Sequence, residues 1–86
     1  MRVNMTIEEQ IKEFISKNLI FSDDGFPYDE DVSFLDQGII DSIGIMQLVL
    51  FVEETFKISV ENSEITPMNF DSVARLEEYV RNKTKA

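Results

Sequence analysis

Apolar residues recur at helical spacing near the N-terminus of the chain. Thr6 and Glu9 lie three residues apart, which is the spacing of a capping box at a helix start. The apolar residues that follow share one helical face: Ile7, Ile11, Phe14 and Ile15. This pattern predicts a first helix from about Thr6 to Leu19.

The helical periodicity fails in the next twenty residues. Asp, Gly and Pro accumulate from Phe21 to Ile40, which predicts a long loop. Loops of this length are uncommon in compact domains unless they are functional or are held by their own apolar residues. We expect four side chains to pin this loop to the core: Phe26, Val32, Phe34 and Leu35.

The most apolar helical segment begins at Asp41 or Ser42, either of which can cap it, and continues to Phe56. At about 100° per residue, five apolar side chains fall on one core-facing stripe: Ile45, Leu48, Val49, Val52 and Phe56. The neighbouring sector mixes apolar, amide and acidic side chains: Ile43, Met46, Gln47, Leu50, Glu53 and Glu54. Such a mixture is typical of a protein-docking surface, but packing of the apolar members against other helices would give the same pattern. The pattern alone leaves both interpretations open.

The C-terminal third predicts two further helical segments. Residues from Glu61 to Thr66 can form one or two helical turns, closed by Pro67, which cannot continue a helix interior. A last helix is expected from about Asp71, with apolar residues three and four positions apart: Val73, Leu76 and Val80. We expect residues 1–5 and 82–86 to fray. The whole pattern predicts an all-α fold.

Composition limits the partners of this chain. Its 86 residues suit a single domain, 1–86, and 17 acidic against 8 basic residues give a formal charge of -9. That charge repels phosphate backbones and anionic lipid heads, so neither nucleic acid nor a membrane surface is an expected partner. No apolar run approaches the roughly 18 residues of a membrane span, and no signal-peptide pattern is present. The absence of cysteine favours a cytoplasmic protein.

The residue types available also limit catalysis. Because the chain has no histidine and no cysteine, it offers no Ser-His pair, no thiolate nucleophile and no usual zinc ligand set. Carboxylates could still act as acid and base, but no spacing singles out a pair. We therefore expect neither a resident metal nor autonomous catalysis.

One motif resembles a known family. Leu35-x-x-Gly38-x-x-Asp41-Ser42-Ile43, before an apolar helix that ends in Glu53-Glu54-Thr55-Phe56, resembles the attachment motif of acyl carrier proteins. Helix order, acidity and length extend the resemblance over the whole domain. It implies a four-helix bundle with three main helices, a short third helix and a long loop between helices one and two.

The resemblance also implies a function. Ser42 would receive 4'-phosphopantetheine from coenzyme A, through a separate metal-dependent phosphopantetheinyl transferase that contacts Asp41. The added arm would carry acyl or aminoacyl groups as thioesters, because the chain has no thiol of its own. A monomer suits such a carrier, which must visit several enzymes.

Partner recognition in the resembled family runs largely through the second helix. By matching position, acidic residues would meet basic patches on partner enzymes, and apolar residues would make the central contacts: Asp41, Glu53 and Glu54, with Ile43, Met46 and Leu50. The resemblance therefore favours the docking interpretation of this sector. The implied partners are the transferase, a loading ligase and downstream acyl-processing enzymes.

Two residues depart from the pattern of fatty-acid-synthesis carriers. Gly44 and Gln47 stand where acidic or other polar residues are common, and Gly44 weakens a helix by up to about 1 kcal/mol relative to alanine. This glycine suggests a close approach by the arm or a partner, or else sequence drift. The stretch from Gly38 to Gly44, with Gln47, more closely resembles carriers of D-alanine and other discrete carriers that adenylate-forming ligases load, and the segment from Thr66 to Val73 also resembles such carriers.

The cargo therefore remains open among fatty acid, polyketide, peptide and D-alanyl pathways. A hypothesis from a different class is an unmodified acidic helical adaptor that uses the same helix to bind one protein. It predicts that Ser42→Ala leaves partner binding intact, whereas a carrier loses its function.

Overall fold

Four α-helices follow one another along residues 5–85, the part of the chain that the computed structural model describes. They are α1 (Ile7–Asn18), α2 (Ser42–Phe56), α3 (Pro67–Phe70) and α4 (Val73–Thr84), and a single 3-10 turn spans Asn62–Glu64. Within these residues no strand is present. The structure confirms an all-α fold with three main helices, a short third helix and a long loop before α2.

The capping box at the start of α1 forms as predicted. The Thr6 hydroxyl accepts a hydrogen bond from the Glu9 amide at 3.1 Å, and the Glu9 carboxylate accepts one from the Thr6 amide at 2.9 Å. Helix α4 packs against each of the other three helices. Phe14 of α1 also stacks on Phe51 of α2, with ring centroids 4.3 Å apart. The fully buried core draws on every main helix: Ile11, Ile15, Phe34, Leu48, Val52, Val73, Leu76 and Val80.

Pro67 begins a helix instead of closing one, so that part of the prediction is wrong. The 3-10 turn ends at Glu64, and Pro67 is the first residue of α3. Proline suits this position because the first amides of a helix have no partner within the helix. The last helix begins at Val73, two residues later than predicted, and the Ser72 hydroxyl caps it by accepting a bond from the Arg75 amide at 3.1 Å.

Helix α4 continues through Thr84, so the predicted fraying from residue 82 is wrong for residues 82–84. Lys83 pairs with the Glu64 carboxylate at 3.2 Å, which also accepts bonds from the Tyr79 hydroxyl at 2.8 Å and the Glu61 amide at 3.0 Å. These donors, the Glu61 amide foremost, hold the pKa of Glu64 below its usual value. They fasten the end of α4 to the 3-10 turn. The predicted fraying of residues 1–4 and 86 lies outside the described residues.

Two of the four predicted pins, Phe26 and Phe34, hold the long loop, and Val32 does not pack against the core. Phe34 is fully buried, Phe26 packs edge-on against it with ring centroids 6.4 Å apart, and Val32 is half-buried. Leu35 is exposed, so its predicted role in the core is wrong. Leu35 starts a surface turn, in which the Gly38 amide donates to the Leu35 carbonyl at 3.2 Å, and its side chain borders a groove instead.

Asp71 anchors this loop to the junction of α3 and α4. Its carboxylate accepts bonds from the Leu35 amide at 3.0 Å and from the Ser33 hydroxyl, while its carbonyl accepts one from the Phe34 amide at 2.8 Å. The Ala74 amide at the start of α4 donates to the loop carbonyl of Glu30 at 2.9 Å. The loop is therefore a bonded part of the fold.

Candidate functional site

The turn before Ser42 fixes where α2 begins. Gly38 has a φ of +67°, in the left-handed region that favours glycine. The chain then reverses, and the amides of Ile39 and Ile40 donate to the Phe34 carbonyl at 2.9 and 3.4 Å. The Ile40 side chain is buried in the core. Through Phe34, the position of Ser42 is thus linked to the Asp71 anchor.

Asp41 caps α2, and Ser42 is the first helical residue. The Asp41 carboxylate accepts a bond from the Gly44 amide at 2.9 Å, and its carbonyl accepts one from the Ile45 amide at 2.9 Å. Ser42 is exposed. Its hydroxyl therefore faces solvent at the positive end of the helix dipole, where a bound phosphate group is stabilised.

A groove of about 240 Å³ begins at Ser42 and runs between α2 and α3. We call it the α2–α3 groove. Its apolar walls come from both helices, the Leu35 turn and the segment before α3: Leu35, Ile45, Met46, Ile65, Pro67 and Phe70. Thr66 and Asp71 complete its lining. Such walls can accommodate a flexible, largely apolar group attached to Ser42.

Gly44 leaves room for the side chain of Ile40. A Cβ atom at this position would overlap Cγ2 of Ile40, which lies in the core. The expected close approach is therefore real, but the approaching group is Ile40 and not the arm or a partner. Glycine at this position lets the buried isoleucine pack directly beneath the first turn of α2.

The apolar members of the mixed sector on α2 face solvent. Ile43, Met46 and Leu50 are 69%, 50% and 64% exposed, so packing against other helices does not explain them. The predicted core stripe is confirmed on the inner side, where Leu48, Val49 and Val52 are buried and two others are half-buried: Ile45 and Phe56.

The polar members of that sector differ in their surroundings. Gln47 and Glu54 are exposed, whereas Glu53 is half-buried and its carboxylate accepts a bond from the Val60 amide at 2.9 Å. Glu53 thereby holds the segment that follows the left-handed residue Lys57 at the end of α2. One oxygen of Glu53 is thus committed to the fold, and no local sequence pattern predicts this contact.

The comparisons with known proteins agree with this geometry. A family model described as the phosphopantetheine attachment site matches residues 9–80. The D-alanyl carrier protein of Abiotrophia defectiva is 26% identical over 80 residues, which cover 93% of this chain and 99% of that protein. The acyl carrier protein of Buchnera aphidicola subsp. Schizaphis graminum is 32% identical over 79 residues, covering 92% and 95%. The D-alanyl carrier protein of Streptococcus pyogenes serotype M1 is 33% identical over 72 residues, covering 84% and 87%.

The chain belongs to the phosphopantetheine-binding family of carrier proteins. Its cofactor is 4'-phosphopantetheine, and its function is that of a carrier. The residues around Ser42 fit this group, because an exposed hydroxyl at a helix N-terminus suits a phosphodiester and an apolar groove adjoins it. Within residues 5–85 no helix is long and apolar enough to cross a membrane.

The cap at Asp41 can be tested by substitution. Asp41→Ala should lower the free energy of unfolding by about 1 kcal/mol, because the Gly44 amide loses its acceptor. Asp41→Asn keeps a side-chain oxygen and should unfold at nearly the wild-type urea concentration. If the asparagine variant is as unstable as the alanine variant, the contribution of Asp41 is not that of a cap.

The contact between Gly44 and Ile40 makes a second prediction. In an exposed helix Gly→Ala stabilises by up to about 1 kcal/mol, but overlap with a buried side chain costs about 1–3 kcal/mol. We expect Gly44→Ala to destabilise by about 1 kcal/mol in urea unfolding. Ile40→Leu removes the branch at Cβ, so the double variant should be more stable than the two single effects summed. A stabilising Gly44→Ala would contradict this packing.

Proposed function

We propose that Ser42 is the attachment point of 4'-phosphopantetheine and that a separate phosphopantetheinyl transferase performs the attachment. The observation that carries the proposal is the exposed Ser42 hydroxyl at the capped start of α2, beside the α2–α3 groove. When bound, the group supplies the thiol on which acyl groups are carried as thioesters. The chain's own lack of cysteine leaves no competing thiol.

The surroundings of Ser42 define what the carrier must receive from the transferase. The chain contains no histidine, so a base of the transferase takes the proton of the serine hydroxyl as its oxygen attacks the pantetheine-side phosphorus of coenzyme A. The P–O bond to the rest of the diphosphate breaks, and adenosine 3',5'-bisphosphate leaves. The positioning and the divalent metal that phosphoryl transfer requires must come from the same enzyme. Ser42 acts as a substrate of the transferase and contributes an exposed hydroxyl that the enzyme can reach.

Once the arm is attached, the residues around it have two roles. The N-terminal amides of α2 stabilise the negative charge next to Ser42. The apolar walls of the α2–α3 groove give the arm or a short cargo a surface with little water. Met46 borders this groove and is half exposed, so it lies where cargo and partner enzyme meet.

The outer sector of α2 is the proposed docking face for the enzymes that act on the cargo. Ile43, Met46 and Leu50 provide apolar contacts that the fold itself does not use. They are accompanied by polar and acidic side chains that suit basic patches on loading and acyl-processing enzymes: Asp41, Gln47, Glu53 and Glu54. Because the carboxylates of Glu53 and Asp41 each accept a backbone amide of the fold, the exposed Glu54 supplies the freest charge.

We propose an acyl or aminoacyl cargo. The similarity to a protein named acyl carrier protein supports an acyl cargo, which biosynthesis of fatty acids or polyketides would use, while peptide biosynthesis would use an aminoacyl cargo. The similarity to proteins named D-alanyl carrier protein supports loading with D-alanine by an adenylate-forming ligase. Loading assays on the pantetheinylated protein distinguish these cargoes, because only the accepted one forms a thioester that hydroxylamine releases.

Intact-mass measurement tests the attachment site directly. We expect the purified protein, incubated with coenzyme A, magnesium and a broad-specificity phosphopantetheinyl transferase, to gain one pantetheinyl group. Ser42→Ala should gain none, because it lacks the accepting oxygen. Ser59→Ala is the matched control, since Ser59 is also exposed and follows the other end of α2, and it should be modified as fully as the wild type.

Two results would overturn the proposal. One is a wild-type chain that gains no mass although the transferase modifies another carrier in the same mixture. The other is an adduct that persists in Ser42→Ala.

A further inference from the structure

Phe21 occupies an unusual position at the end of α1. Its side chain is 78% exposed, more than any other large apolar side chain in residues 5–85. Its backbone φ is +53°, in the left-handed region that bulky residues rarely adopt and that glycine or asparagine adopts more easily. Neither core packing nor backbone preference explains a phenylalanine here. Strained backbone of this kind is often associated with a function.

The backbone on both sides of Phe21 is firmly bonded. The Ile20 amide donates to the Ile15 carbonyl at 3.0 Å, and the Ser22 amide donates to the Ser16 carbonyl at 2.8 Å. Both acceptors belong to buried residues of α1. The ring is therefore presented to solvent from a fixed turn.

Phe21 and Ile43 line the same groove. This second groove has a volume of about 400 Å³ and passes along Asp41, Gly38 and Gln47. No described residue lines both this groove and the α2–α3 groove, so the two are separate. It includes the residues on both sides of Ser42, Asp41 and Ile43, whereas Ser42 itself lines the α2–α3 groove.

The charge around the second groove is acidic. Asp41 lines it, and the exposed Asp23 and Asp24 follow Phe21 in the chain. Among the described residues, no lysine or arginine lines this groove. Two exposed apolar side chains with neighbouring carboxylates complement a protein surface that combines an apolar side chain with lysine or arginine.

We propose that the occupant of this groove is the phosphopantetheinyl transferase, with Phe21 and Ile43 as its apolar anchors. This inference rests on the proposed function. An enzyme that reacts at the Ser42 oxygen itself must cover the residues on both sides of it. Enzymes that act later reach the end of a long arm, so they can use the outer sector of α2 without contacting Phe21. The groove beside Ser42 therefore suits the transferase better than the enzymes that handle cargo.

Transferase kinetics test the role of the ring. With the transferase from the same organism, we expect Phe21→Asn to lower kcat/KM for the carrier about fivefold or more, mainly through KM. Its melting temperature should equal or exceed that of the wild type, because asparagine tolerates the left-handed backbone. Phe21→Tyr, which keeps the ring, should retain most of the wild-type kcat/KM.

Met68→Ala is the matched control. Met68 is 72% exposed and lines neither groove, so its loss should leave kcat/KM unchanged. If Phe21→Asn has the wild-type kcat/KM, the inference fails while the proposed function stands. A wild-type chain that no transferase modifies contradicts the proposed function instead, and the inference with it.

Two further results would overturn the inference. A Phe21→Asn variant that melts at a lower temperature than the wild type would show that the ring stabilises the fold. A concentration-dependent dimer in light scattering that Phe21→Asn abolishes, with kcat/KM unchanged, would assign it to a second copy of this chain.

Discussion

The hydrogen bonds of Asp71 hold the functional end of this carrier in place. Its carboxylate and carbonyl accept bonds from Ser33, Phe34 and Leu35, which lie more than thirty residues earlier in the chain. Phe34 is thereby fixed in the core, and its own carbonyl accepts the amides of Ile39 and Ile40 just before α2. Phe34 is fully buried, so its amide would cost about 1–3 kcal/mol if it lost the Asp71 carbonyl, which is a large share of the stability of a domain of this size. The position of Ser42 depends on this chain of contacts.

Three features of the structure lie next to Ser42. The helix terminus stabilises negative charge, the α2–α3 groove offers an apolar surface, and the outer sector of α2 exposes apolar side chains to solvent. None of these activates the hydroxyl, since the chain has no histidine to do so. In the proposed function the reactivity comes from the transferase, while the carrier contributes exposure, position and recognition. This division suits a protein that several enzymes must use in turn.

Most of the confirmed predictions from the sequence depend on local patterns. The capping box, the start of α2 at Asp41 and Ser42, and the buried stripe on α2 depend on residues a few positions apart, and all three are confirmed. The attachment motif identified the family, although the attachment at Ser42 itself stays a prediction. Pro67 was misjudged because proline is excluded from helix interiors but suits their first residue.

Contacts between distant residues account for what the sequence could not predict. Asp71 was expected only to open the last helix, because its bonds to the loop depend on tertiary structure. Gly44 gave a correct signal of close approach, but the neighbouring Ile40 could be recognised only once both were placed. Phe21 offered no periodic signal at all, since its left-handed backbone has no sequence signature when the residue is not glycine.

The central claim is that the long loop before α2 is a fixed element that sets the position of Ser42. Amide hydrogen exchange of the wild-type protein tests it most directly. We predict that the Phe34 amide, which donates to Asp71 at 2.8 Å from a fully buried residue, exchanges as slowly as buried amides of α2 and α4. The more exposed Leu35 amide, which donates at 3.0 Å, should exchange clearly more slowly than in an unstructured peptide. Exchange of these two amides at the rate of an unstructured peptide, with the helices still protected, would contradict it.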